Sequence, residues 1–282
     1  MSAGELSDNA GLAGQQPASQ RRGMRPGVSR ASLGLTGLAV LALLVEVLPR
    51  LGVLDARFMP PLSHMLAALL TELFSRDFWS LLYATLRGWA IGLGVAMVAG
   101  VVIGIVIGSV KLLRIATAST IEFLRPIPSV ALIPLAVLLY GTDMRSTLLL
   151  VIYASFWPVL LQVLYGVQDV DPVARETAQV YRFGVWTQIR TVVWPTALPF
   201  VMTGFRLAAA VALILEITGE LIIGSPGLGQ AIAIAQSAGA IDTMYALVIV
   251  TGLIGISVNL ATRAAERRAL HWHPSIRRDV TQ

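Results

Sequence analysis

From Gly88 to Val110 the chain carries no charged side chain. About 20 such residues, coiled as a helix, match the hydrocarbon thickness of a bilayer. Lipid offers no partner to a backbone N–H or C=O, so a segment of this kind must be a helix. The same pattern recurs along the chain. Spans are expected at Leu33–Leu48, 82–109, 116–141, Ser146–Tyr165, Thr196–Ile223 and Ile241 to about Arg263. Only 13% of residues are charged, against about a quarter in soluble domains. The expected fold is an all-α polytopic membrane protein with six transmembrane helices.

The remaining segments are read around these spans. Residues 1–30 are rich in Gly, Ser, Gln, Ala and Arg without apolar period, and are expected to be a disordered tail. The run after it is expected to be an uncleaved span. The tail is long for a signal-peptide n-region, and VLPRLGVLDARF is a poor cleavage site. Residues 31–268 then form the six-span domain, and 269–282 a basic tail. Residues 59–78 place Leu62, Met65, Leu66, Leu69, Leu70 and Leu73 at helical spacing but are too polar to span, which suggests an interfacial helix. SVKLLR (109–114) reads as a short basic loop. Pro126, Pro128 and Pro134 should break or bend the third span. Such irregular backbone is tolerated at membrane depth where protein or water covers it, so a path lining or a simple kink both fit. Gly88, Gly92, Gly100, Gly104 and Gly108 share one helix face and admit a close neighbour.

The net charge of +5 is unevenly spread. Six spans place both ends on one side, together with Lys111, Arg114, Arg175, Arg182, Arg190, Arg263, Arg267 and Arg268. The other side has Arg50, Arg57, Arg76 and Arg145. Positive charge collects on the cytoplasmic side, so both termini and the polar segment 171–195 are expected there. The basic balance therefore points to a membrane rather than to nucleic acid. The absence of cysteine excludes disulfides and thiol chemistry.

Segment 171–195, DPVARETAQVYRFGVWTQIRTVVWP, interrupts the apolar pattern. Asp171 can cap a helix that Pro172 begins. Ala174 stands where a capping box would have an acid. Gly184 is expected to end this first helix, and Trp186–Trp194 to form a second stretch before the next span opens at Pro195. A short helix pair tied to two spans is suited to passing a push from a soluble partner into the membrane. An ordinary loop packed under its own bundle is the alternative.

This segment resembles the cytoplasmic coupling motif of ABC transporter permeases. Glu176-Thr177-Ala178, Val192 and Trp194-Pro195 fall at the motif's distances. Two positions depart: Arg182 stands at the family's glycine, with Gly184 two residues later, and Trp194 at its leucine. The resemblance covers about residues 60–270. LRPIPSVALIPLAVLLYG, GVQDVDP, VYRF, PTALPFVMTGFRLA and SPGLG are similar to the branch importing nitrate, sulfonates, taurine or bicarbonate. It implies the type I importer permease (MetI-like) fold in the cytoplasmic membrane. It also implies two permease copies, cytoplasmic ABC ATPase subunits and an extracytoplasmic solute-binding protein. ATP would be bound by the partner, and the permease itself would be no enzyme and need no cofactor. The chain has no G-x-x-x-x-G-K-[ST] phosphate cradle, and GIVIGSVK at 104–111 has the wrong spacing. The docking surface is expected at Asp171, Arg175, Glu176, Ala178, Gln179, Arg182 and Gly184, with small Ala178 permitting close approach.

Glu122, Arg125, Arg206, Glu216 and Glu220 lie within or beside apolar stretches. Intramembrane charges face protein or water. Arg206 either attracts an anionic solute or pairs with a carboxylate of another helix, and paired charges are the commoner solution. Glu216 and Glu220 are one turn apart and are gate or subunit-contact candidates. His64, His271 and His273 need no ligand role, and no metal site is expected. An ion-coupled secondary transporter or channel is the competing function. It would work without an ATPase and leaves the polar helix at 172–182 unexplained.

Overall fold

The hydrophobic spans become helices with few interruptions. The computed structural model describes residues 30–271; the expected tail at 1–30, apart from Arg30, and the part of the expected tail at 269–282 from 272 on, with His273, lie outside the described residues. The helices are α1 (Arg30–Arg50), α2 (Leu62–Leu73), α3 (Arg76–Ser109), α4 (Lys111–Leu124), α5 (Ile133–Tyr140), α6 (Met144–Gln168), α7 (Pro172–Val180), α8 (Val185–Gln188), α9 (Trp194–Ile223), α10 (Leu228–Ser237) and α11 (Ile241–Ala269). Two compact units divide at Val45/Glu46. The first holds the apolar start of α1. The second holds everything from Glu46 on, including the end of α1, where the Ser63 N–H donates to Glu46 at 2.9 Å and Arg50 pairs with Glu46 at 2.5 Å.

Among the described residues five helices are long and apolar enough to cross a membrane, and α4 with the segment Ser129–Tyr140, bent by 82°, brings the number to six when taken as one broken span. The bend falls at Arg125-Pro126-Ile127-Pro128. Pro126 and Pro128 each remove a donor and clash with the preceding turn, and a 3-10 turn at Ser129–Leu132 restarts the chain before α5. The expected basic loop at 109–114 is not present. Val110 alone separates α3 from α4, with extended backbone (φ −112°, ψ 109°), and Lys111 and Arg114 already lie in α4. Leu112, Leu113 and Ile115 allow that helix to start at once.

The core is built where α6 lies between α3 and α9. Gly92, Gly100, Gly104 and Gly108 of α3 face Val151, Val159, Val163 and Val167 of α6. Both rows repeat at multiples of four residues, so they stay in register over several turns. A Cβ on Gly104 would lie 2.7 Å from Val163 Cγ1 and 2.8 Å from its Cβ. Opposite, Gly204 of α9 sits over Pro158 and Val159, and Gly166 of α6 over Ala197. Without a hydrophobic drive between helices in lipid, this close backbone approach and its dispersion contacts hold the bundle.

α2 does more than lie at an interface. Met65 is buried, and Leu69 packs on the cluster of Phe78, Leu228, Ile232, Leu247 and Val250 from α3, α10 and α11. Leu66 and Leu70 stay exposed, so only part of its apolar stripe meets protein.

Candidate functional site

The polar element between α6 and α9 begins as its residues dictate. Asp171 Oδ1 accepts the Val173 N–H at 2.8 Å and Pro172 takes the first helical position. Nine residues later α7 stops. The Arg182 N–H donates to the Gln179 carbonyl and the Phe183 N–H to the Ala178 carbonyl, both at 2.9 Å. This closure needs a left-handed residue, and Arg182 supplies it with φ 52°. Among the described residues it is the one non-glycine residue at positive φ.

Gly184 therefore does not end the helix, contrary to expectation. Its φ of −62° and ψ of 155° are open to any residue, and it caps the start of α8. The chain then passes from α8 through a π-helical turn, Ile189–Val193, directly into α9. The expected separate stretch at 186–194 and a span opening at Pro195 are one continuous path. Pro195 has no N–H and its ring crowds the preceding turn; a widened turn just before it relieves both problems.

The seven expected docking residues divide by burial. Asp171, Glu176, Gln179, Arg182 and Gly184 are exposed and Arg175 is half-buried. Ala178 is 3% exposed, covered by its own chain; its small size serves packing within the chain. The same element also exposes apolar residues outside that set. Val173, Val180, Tyr181, Phe183, Val185 and Trp186 are all exposed, Val180 to 81% and Trp186 to 75%. The rings of Tyr181 and Phe183 lie 6.4 Å apart. Clustered exposed apolar residues rimmed by charges are common at interaction surfaces. The signal of this cluster was present in the run VYRFGVW, too polar to span and too apolar for a solvated loop.

The membrane carboxylates are in a different place. Glu216 and Glu220 of α9 are each 1% exposed. Glu220 Oε2 accepts the Thr85 hydroxyl of α3 at 3.0 Å and the Gly229 N–H at 2.9 Å. Thr85 Oγ in turn accepts the Leu228 N–H at 2.9 Å. Glu220 thus sits at the N-terminus of α10, where unpaired N–H groups favour negative charge. Thr147 and Ser225 hydroxyls bond at 2.6 Å beside it, which ties α6 to the SPGLG turn. The glycines of that turn make room: a Cβ on Gly227 would collide with the Glu220 carboxylate. Gly88, expected to pack against a helix, instead abuts the carboxylate of Glu216. Glu216 Oε2 has no hydrogen-bond partner.

Arg206 does not join the two acids. Its guanidinium lies 3.5 Å from Glu266 of α11, the interhelical pairing that its position suggested. The cation at the third-span bend is Arg125, exposed, with no carboxylate within ion-pair distance among the described residues.

Three kinds of likeness agree with this architecture. Residues 96–271 match the family described as binding-protein-dependent transport system inner membrane component. The aliphatic sulfonates transport permease protein SsuC of Bacillus subtilis is 29% identical over 94% of this chain and 98% of its own. The taurine transport system permease protein TauC of Escherichia coli is 30% identical over 88% and 92%. A MetNI methionine ABC transporter solved in inward-facing conformations shares the fold, with a TM-score of 0.56 and 17% identity over 66% of this chain and 93% of that one. The chain belongs to the binding-protein-dependent transport system inner membrane component family, the membrane-spanning permease subunits of ABC importers.

Proposed function

We propose that this permease carries a small organic or inorganic anion, a sulfonate, taurine or nitrate, into the cell as a homodimer. The α7–α8 element serves as the docking site of the partner ATPase. The observation that carries this reading is the exposed surface of Val180, Tyr181, Phe183, Val185 and Trp186, seated beside Arg175, Glu176 and Arg182. Arg and Lys predominate on the same side of the membrane, which supports cytoplasmic termini and a cytoplasmic docking face. Permeases named for sulfonates and taurine resemble the chain over nearly its whole length, and this supports the anion class.

The mechanism follows from how the element is held. ATP binds to the ATPase pair, outside this chain, and draws two docking elements together. α7 is fixed to its own chain through buried Ala178, and the π turn joins α8 to α9. A displacement at the docking face therefore reaches α9, which packs along α6 and α11, and opens the bundle outward. Hydrolysis returns it inward. One six-span chain forms half a pathway, and a closed two-fold pair is the simplest completion.

The natural absence of cysteine provides the test. Val180→Cys, coexpressed with the partner ATPase and assayed in membrane vesicles, is expected to crosslink to it with a yield that changes with ATP. Thr142→Cys, at the other end of α6, is expected not to. A correctly inserted Val180→Cys chain that never crosslinks removes the docking assignment. Uptake of labelled taurine, ethanesulfonate and nitrate with the binding protein present tests the anion class; transport of none of them refutes it.

A further inference from the structure

The bend of the third span opens on a cavity of about 490 Å³ between it and α6, within the roughly 300–1,000 Å³ typical of small-molecule sites. Arg125, Ser129, Tyr153, Trp157, Gln162 and Tyr165 line it. Tyr153, Trp157 and Tyr165 of α6 recur at multiples of four residues, so they fall on one stripe. Tyr153 to Tyr165 spans about 18 Å of helix, more than half of a hydrocarbon core about 30 Å thick. A neighbouring cavity of about 570 Å³ shares Arg125, Leu161 and Tyr165 and adds Arg114 and Glu122. The two meet at Arg125.

The net charge of these walls is positive. Among the described residues Arg125 is the only ionised side chain lining the first cavity, and the second carries Arg114 and Arg125 against Glu122. A guanidinium stays charged in any protein environment. Tyr153 spends its hydroxyl on the Leu124 carbonyl at 2.7 Å, which pins the last turn of α4 to α6 and so sets where Arg125 begins. The side chains of Ser129, Gln162 and Tyr165 make no hydrogen bond among the described residues. The buried indole N–H of Trp157 also lacks an acceptor, although buried donors are nearly always paired. A planar fork of donors with unspent hydroxyl and amide groups around it suits a tetrahedral or trigonal oxyanion.

We propose that Arg125 and this cavity form a transient subsite for the anionic group of the solute on its way through the permease. The role belongs to Arg125 and not to Arg206, whose charge Glu266 already answers. This rests on the anion reading for its physiological meaning, but the test does not. Ser129→Cys, nearly isosteric, places the chain's one thiol in the cavity. Two methanethiosulfonate reagents of similar size are compared on the assembled transporter in vesicles, one bearing a sulfonate and one a quaternary ammonium. Rates are normalised to those at exposed Thr142→Cys. The sulfonate reagent is expected to be favoured at position 129 by about tenfold, the scale of reversing the reagent's sign about 6 Å from one unit charge at a water-like dielectric constant of about 80. Arg125→Lys should keep the preference and Arg125→Gln should abolish it. Equal normalised rates at position 129, or a preference unchanged in Arg125→Gln, overturn the subsite. Wild-type uptake of taurine, ethanesulfonate and nitrate judges the solute class separately.

Discussion

Thr85 donates its hydroxyl to Glu220 at 3.0 Å and with the same oxygen accepts the Leu228 N–H at 2.9 Å. One buried side chain on α3 thereby holds the acid of α9 and the first turn of α10. Thr85→Val keeps the shape and removes both bonds. Interhelical hydrogen bonds in membranes average only about 0.6 kcal/mol. Here a buried N–H is also orphaned, which costs about 1–3 kcal/mol, and this second effect should dominate. The expected result is a clear fall in the melting temperature of the detergent-solubilised protein. Thr85→Ser should stay close to wild type. Equal melting of Val and wild-type chains would mean that the turn is held by other contacts.

The glycine row predicts opposite effects from the same substitution. A Cβ on Gly104 meets Val163 at its own branch point, which no rotamer can withdraw. Gly104→Ala should destabilise by about 1–3 kcal/mol, the usual cost of overpacking, and Val163→Ala should rescue much of it in the double variant. Gly94, on the same helix, has nothing within 4 Å of its missing Cβ. Gly94→Ala should stabilise by up to about 1 kcal/mol through helix propensity. Thermal unfolding of the three variants checks both signs; a stable Gly104→Ala would remove the row from the packing argument.

Much of this was legible because lipid leaves a chain few choices. The uncharged run at 88–110 has to be a helix, the prolines at 126 and 128 have to interrupt one, and the glycine spacing on α3 admits a close neighbour. Other features depended on partners that no local pattern reveals. Nothing about Gly88 distinguishes a glycine that faces valine from one that faces the Glu216 carboxylate. Ala178 looked suited to an external partner because it is small, yet its own chain covers it. The expected docking set is made of polar and small residues, while the largest exposed areas of the same element are Val180, Val185 and Trp186. The stop after α7 was assigned to Gly184 because glycine tolerates positive φ, but the hydrogen-bond closure falls at Arg182.

That position makes a specific prediction. A non-glycine residue in the left-handed region carries a strain of roughly 1–2 kcal/mol. Arg182→Gly should relieve part of it and raise thermal stability slightly, whereas β-branched Arg182→Val should lower it. If the arginine also contacts the ATPase, Arg182→Gly will stabilise the permease and weaken crosslinking at Val180→Cys together. Destabilisation by glycine would show that the arginine side chain contributes more than its backbone costs.

The proposed lever between docking face and spans predicts that docking and coupling separate at Ala178. This residue is buried on a helix whose neighbours on either side, Thr177 and Gln179, are exposed. Ala178→Leu must push α7 away from its own chain, at a cost of about 1–3 kcal/mol, while leaving the exposed surface of Val180, Val185 and Trp186 chemically intact. The ATPase should still bind, so crosslinking through Val180→Cys should persist. Solute moved per ATP hydrolysed should fall several-fold, because the displaced helix no longer transmits its motion to α9. Val180→Leu, at an 81% exposed position, should leave stability unchanged. Reconstituted vesicles assayed for uptake and hydrolysis in parallel decide the matter. A proportional loss of both activities would make Ala178 a folding residue, and unchanged coupling would place the transmission elsewhere in the element.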